Sequence, residues 1–265
     1  MGQEYADISL GQLALASVLL LVAIGLSVAL RLGLTRGLAV AATRMVVQLF
    51  LVGLVLEWVF STESALLVVA LAVGMALLAG QAAVRRTARR FRGIWADALV
   101  SVLGASFVVT GAAVLGVLRI DPWYDPQYVI PLHGMLLGNA LTGISLSLDR
   151  FMEGASRERG LVEARLALGA TRWEAARPLF RDAVRTGLVP ITNSMAVMGV
   201  VSLPGMMTGQ ILAGAAPADA VRYQILIVFM IAACVALAAL GVVGLAYRRL
   251  FSSDHRFHPD RLREA

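Results

Sequence analysis

Lysine is absent from this chain, and all 23 basic residues are arginine. A phosphate-cradling GxxxxGK[ST] loop needs its Lys. No such nucleotide site exists here, so any ATP hydrolysis coupled to this protein belongs to another chain. Cysteine is almost missing as well. The single Cys234 excludes a disulfide framework and a CxxC redox or zinc site. Charge is scarce, at 15% of 265 residues, where soluble domains carry ~25%. With 59% apolar residues, an ordinary soluble enzyme is excluded. The length suits one domain covering residues 1–265.

Long apolar runs take the place of charge. A helix needs ~20 mostly apolar residues to cross a hydrocarbon core ~30 Å thick. Seven runs qualify, at roughly 9–30, 37–60, 64–84, 98–118, 129–148, 188–214 and 221–247. None alternates with period two, which excludes barrel strands of ~10 residues. The expected fold is all-α, a polytopic membrane helical bundle of about seven transmembrane helices. Glu4 and Asp7 precede the first run without any Arg, so that run reads as a retained helix rather than a signal peptide.

Arginine placement orients the bundle. With the N-terminus outside, 20 of the 23 Arg fall on the cytoplasmic side. Only Arg119 and Arg222 fall outside, and Arg44 lies within a span. Such asymmetry puts the C-terminus in the cytoplasm. The stretch RRTARRFR (85–92) reads as part of this signal, in touch with anionic lipid, rather than as a nucleic-acid site. The outer loops are short. The longest, 119–131, carries Trp123 and Tyr124, which with Tyr128 read as an interfacial aromatic belt.

The one large loop, 149–187, is cytoplasmic and rich in helix formers. Leu161, Val162, Ala164, Leu166, Ala167 and Leu168 give a half-apolar helix that Gly169 stops, as Gly does just past a helix end. Thr171, with Glu174 three residues on, forms a capping box that opens the next helix. The loop is either a solvated hairpin or a docking element for a soluble partner.

Polar residues within spans are rare and tend to face protein or water. Arg44 and Gln48 share a helix face. Arg44 either snorkels to the cytoplasmic surface or lines a path. The fifth run holds His133, Asn139, Thr142 and Ser145. His133 is either an ordinary hydrogen-bonded residue or a metal ligand. In the sixth run Pro190 and Pro204-Gly205 would interrupt regular hydrogen bonding, and broken spans mark substrate sites in some transporters. Asn193 lies before the second interruption; Met206 and Met207 follow it. Methionine fills cores more often than it binds metal, and its thioether suits Cu(I) better than iron. No cluster has metal-ligand spacing. His133, Met206 and Met207 are the metal candidates, which allows a chelate or a weak transit site rather than a tight ionic one.

The segment EARLALGATRWEAARPLF resembles the EAA loop of ABC-transporter permeases, with Glu163, Ala164 and Gly169 at matching positions and Arg165 in place of the usual Ala. RMVVQLFLVGLVL (44–56), GMLLGNAL (134–141), RDAVRTGLVPITNS (181–194) and GVVSLPGMMTGQILAG (199–214) are similar, in the same order, to the FetB/YbbM type of permease. That resemblance implies a bacterial plasma-membrane permease subunit working with a separate ABC ATPase. ATP and Mg would be bound by that partner, and no cofactor by this chain. Bacterial members are associated with iron export, and a related plant permease with aluminium tolerance and a nucleotide sugar. Glu163, Ala164, Gly169, Thr171 and Glu174 would couple to the ATPase. Arg44, Gln48, His133, Asn139, Asn193, Pro204, Met206 and Met207 would line the path. One such chain is a half-transporter, so two copies are expected. A nucleotide-sugar cargo and an ATPase-independent secondary transporter remain the alternatives. An intramembrane enzyme is disfavoured, because no span interior offers a GxSG nucleophile or an Asp pair.

Overall fold

The computed structural model describes residues 9–62 and 64–264. The described chain is overwhelmingly helical. Nine α-helices follow in order: α1 (Leu10–Ala29), α2 (Thr35–Phe60), α3 (Ala65–Arg85), α4 (Ile94–Gly111), α5 (Pro126–Arg157), α6 (Arg159–Ala167), α7 (Arg172–Val197), α8 (Gly205–Leu212) and α9 (Pro217–Leu250). A π-helical segment, Ala112–Leu118, extends α4. The described residues contain one short strand pair, β1 (Arg89–Arg90) and β2 (Arg263–Glu264), which lie antiparallel. Among the described residues six helices are long and apolar enough to cross a membrane: α1, α2, α3, α4 with its extension, α5 and α9. Glu4 and Asp7, on which the retained-helix reading rests, lie outside the described residues.

The chain forms two compact units. The first holds α1, α2 and residues 209–215. A tight turn joins α1 to α2, where the Thr35 hydroxyl donates to Ser27 Oγ at 3.3 Å. Apolar side chains cover both helices and stay exposed, Leu19 at 76% and Leu54 at 67%. Exposure of that size in water would cost a soluble protein its solubility, and in a bilayer it faces acyl chains.

The second unit, 64–208 with 216–264, contains the core. Its interior is built from small side chains: Ala76, Ala83, Ala98, Ala140, Ala175, Ala176, Ala183, Ala238 and Ala246 are buried, interleaved with Leu136, Ile144, Leu148 and Phe151. Lipid is as apolar as leucine, so close backbone approach replaces the hydrophobic effect as the packing force. The closest approach is at Gly187 on α7. A Cβ there would overlap Ser147 Oγ on α5 and lie 2.7 Å from the Gly143 carbonyl. Gly143 in turn leaves room for Val235 on α9. One glycine-rich level thus fixes three helices against each other.

The expected sixth run is not one helix. α7 starts at Arg172, far earlier than 188, and ends at Val197 rather than at Pro204. Pro178 and Pro190 both lie inside it without interrupting it. The chain then turns, with the Gly199 N–H on Ser202 O at 2.9 Å and the Val197 carbonyl receiving the Val201 N–H at 2.9 Å. α8 follows, and the Pro204 carbonyl accepts from both the N–H and the hydroxyl of Thr208, at 3.0 and 3.1 Å. The Val197, Ser202 and Pro204 carbonyls at the break are therefore paired locally.

Gly187→Ala should lower the melting temperature of the detergent-purified protein by the equivalent of about 1–3 kcal/mol of overpacking. Gly138→Ala, where a Cβ meets nothing within 4 Å, should leave it unchanged. Equal effects at the two positions would refute the close-approach account.

Candidate functional site: the exposed turn between α6 and α7

Residues 168–171 reverse the chain between two helices. Three hydrogen bonds close α6: Leu168 N–H to Ala164 O, Gly169 N–H to Leu166 O and Ala170 N–H to Arg165 O, each 3.0 Å. The last two form a Schellman pair, which needs a left-handed residue at its centre. Gly169 supplies it with φ +90°. Leu168, at the tip, is 89% exposed.

The capping box read from the sequence is present. Glu174 N–H donates to Thr171 Oγ1 at 3.3 Å, and Thr171 N–H donates to the Glu174 carboxylate at 2.8 Å. The Thr171 hydroxyl adds a third bond to the same carboxylate at 2.7 Å. That hydroxyl, then the Thr171 N–H, holds the Glu174 carboxyl below the usual glutamate range, with His255 adding to the effect. Glu163 and Ala164 lie on exposed positions of α6. Glu163 pairs with Arg159 at 2.8 Å in the open, where such a pair contributes only ~0.3–0.5 kcal/mol.

A residue that sequence reasoning missed completes the turn. His255, from the segment after α9, accepts the Arg172 N–H on Nδ1 at 2.9 Å. It therefore satisfies a first-turn donor of α7 that helix geometry leaves unpaired. Trp173 packs edge-on against Phe180 and Tyr247, and the aromatic series continues through Phe251 to Phe257. No local pattern in the sequence places residue 255 beside residue 172.

The same end of the unit collects most of its arginines. Arg249 clamps the buried Asp97 with Nε and Nη2 at 3.1 and 3.0 Å. Ala88 N–H donates to Asp149 at 2.9 Å, and Arg150 Nε to Asp182 at 2.8 Å. With the β1–β2 pair, these contacts bring the loop at 85–92, the end of α5, the start of α7 and the tail after α9 to one end.

The other predicted residues are dispersed. Arg44 and Gln48 lie exposed on α2 in the first unit, along an open groove of about 660 Å³. Asn139 and Asn193 are exposed on α5 and α7. Asn139 donates to its own helix at Met135 O, 2.9 Å away. His133 is buried between α4 and α5, with Nδ1 3.0 Å from the Thr110 hydroxyl and the Phe107 ring edge-on. Pro204 opens α8, Met206 packs against the core, and Met207 is buried. Among the described residues no three His, Cys, Asp or Glu side chains gather as a metal site.

The model of the uncharacterised protein family UPF0014 matches residues 10–251. The chain belongs to the UPF0014 family. It is 36% identical to the UPF0014 membrane protein slr1647 of Synechocystis, over 85% of this chain and 87% of that one. It is 31% identical to the probable iron export permease protein FetB of Escherichia coli, over 95% and 96%. Against the rice UPF0014 membrane protein STAR2 it is 34% identical over 82% and 74%. No solved structure matches. This UPF0014 chain is an all-helical, multi-pass membrane protein.

Because Glu174 titrates below its ordinary value, its stabilisation of the UPF0014 turn is complete above the ordinary glutamate range. It is lost as pH falls through the lowered folded value. A carboxyl NMR titration should give Glu174 a midpoint below that of an unpaired glutamate, and Thr171→Ala should raise it. The same substitution should destabilise the start of α7 by about 1 kcal/mol. An unshifted midpoint in the wild type would remove the capping box as the cause.

Proposed function

We propose that this chain is the permease subunit of an ABC transporter, moved by a separate ATPase and exporting a metal, with iron as the first cargo to test. The observation that carries this reading is the continuity of α7. The exposed 168–171 turn is the end of a helix that runs 26 residues, about 39 Å at 1.5 Å per residue, before its first break. A push on the turn therefore reaches the bundle without passing through a flexible joint. Leu168 at the tip would enter a cleft of the ATPase, and the surrounding arginines would meet its acidic rim. ATP and Mg belong to that partner. Two permease copies and two ATPase copies would complete the machine, with the Arg-rich end in the cytoplasm. Closure of the ATPase pair would bias two pre-existing arrangements of the bundle.

The iron reading draws on the name of the FetB relative. Iron would cross as a chelate or through a weak transit site, with Asn139, Asn193 and the break at 198–204 along its way. A second reading keeps the machine and changes the cargo to a phosphate-bearing organic solute such as a nucleotide sugar. The exposed guanidinium of Arg44 favours it, since a guanidinium pairs well with phosphate.

Proteoliposomes containing this chain and an ABC ATPase that co-purifies with it should show ATP-dependent iron efflux. Gly169→Val or Leu168→Asp should reduce that efflux at least tenfold while the protein still inserts. Stimulation of ATP turnover by nucleotide sugars and not by iron would replace the first cargo with the second. Transport at full rate without any ATPase would defeat the coupling reading.

A further inference from the structure

Arg177, Arg181 and Arg185 recur every four residues on α7, so they form a row along one exposed face. None has a carboxylate within ion-pair distance among the described residues. The two acids on the same helix are engaged elsewhere: Asp182 with Arg150, and Glu174 with Thr171. Like charges at this spacing repel. A row of three is therefore a feature that an anion would relieve.

The surroundings are apolar. The three arginines share an open groove of about 860 Å³ with Phe180, Leu188 and Val189. Trp173 and Phe180 also wall a second groove of about 690 Å³, floored by Gly104, Gly241 and Gly244 and ending at Arg248. Depth follows from the contacts already described. Asp182 is level with Arg150 and, through Asp149, with the Arg-rich loop at 88. The arginine row therefore sits at the boundary of the bundle. Leu188, Val189 and Thr192 run inward from it. A soluble anion would leave the apolar walls uncovered, whereas a molecule with a charged head and two hydrocarbon tails fills both parts. Basic clefts between spans at a membrane face suit lipid headgroups of this kind.

We propose that this face of α7 binds an anionic glycerophospholipid, its phosphate on Arg177, Arg181 and Arg185 and its acyl chains in the grooves on either side of Trp173 and Phe180. Trp173 anchors the site at headgroup level.

The test uses the full chain in detergent with Trp58, Trp95 and Trp123 replaced by Phe, leaving Trp173 as the reporter. Phosphatidylglycerol and phosphatidylcholine with brominated acyl chains are the quenchers. The anionic lipid should half-quench Trp173 at a lipid fraction at least fivefold below that of the zwitterionic one. Arg181→Gln should weaken the anionic lipid about fivefold, the effect of roughly 1 kcal/mol per basic residue near a charged surface. Gln at all three positions should abolish the headgroup preference, and Lys at all three should retain it. Equal quenching by the two lipids in the parent protein, which involves no arginine change, would overturn the proposal. So would an undiminished preference in the triple Gln variant. Protein–protein cross-linking through Arg181→Cys, in place of lipid contact, would overturn it too by assigning the face to a second copy or another chain.

Discussion

In a bilayer, apolar burial gives helices no reason to prefer each other over lipid, so the second unit depends on how closely its backbones approach. The level at Gly143, Ser147 and Gly187 sets that distance. α7 lies directly on α5 there, and Val235 of α9 fills the space that Gly143 leaves. The alanines above and below this level are small enough to continue the contact in both directions. Arg150–Asp182 adds a polar tie between α5 and α7 about one turn away.

Several acidic residues at the Arg-rich end are committed. Asp97 is buried in the fork of Arg249, where its charge would be costly alone. Asp149 receives the Ala88 N–H, Asp182 holds Arg150, and Glu174 closes the start of α7. This use of carboxylates as backbone and helix ties leaves a large surplus of guanidinium groups. That surplus provides the charge asymmetry from which orientation was read. The polar groups deeper in the bundle follow a different rule. Asn139, Thr142 and Thr192 donate to carbonyls four residues back in their own helices. They need no partner helix and can face lipid or a water-filled path alike.

Local signals were legible. The Gly169 stop and the Thr171–Glu174 box involve residues within a few positions of each other, so the pattern contains the whole interaction. The apolar runs gave six of the helices to within a few residues, apart from α5, whose helix continues past 148 through DRFMEGASR. The sixth run was misjudged in detail. Pro190 suggested interruption, yet packing at Gly187 against α5 holds the helix through it. The break moved to 198–204, where the chain turns and the backbone groups pair locally.

Composition, the spacing of apolar runs and the distribution of arginine thus determined a multi-pass helical membrane protein with a capped helical turn. Each of these follows from transfer energies and short-range geometry that a linear pattern records in full. The tertiary structure decided that the capped helix and the start of the sixth apolar run are a single α7, that His255 completes its first turn, and that three arginines in a row on it lack acidic partners among the described residues. Those features depend on which distant side chains reach one another, and sequence spacing carries no measure of that distance.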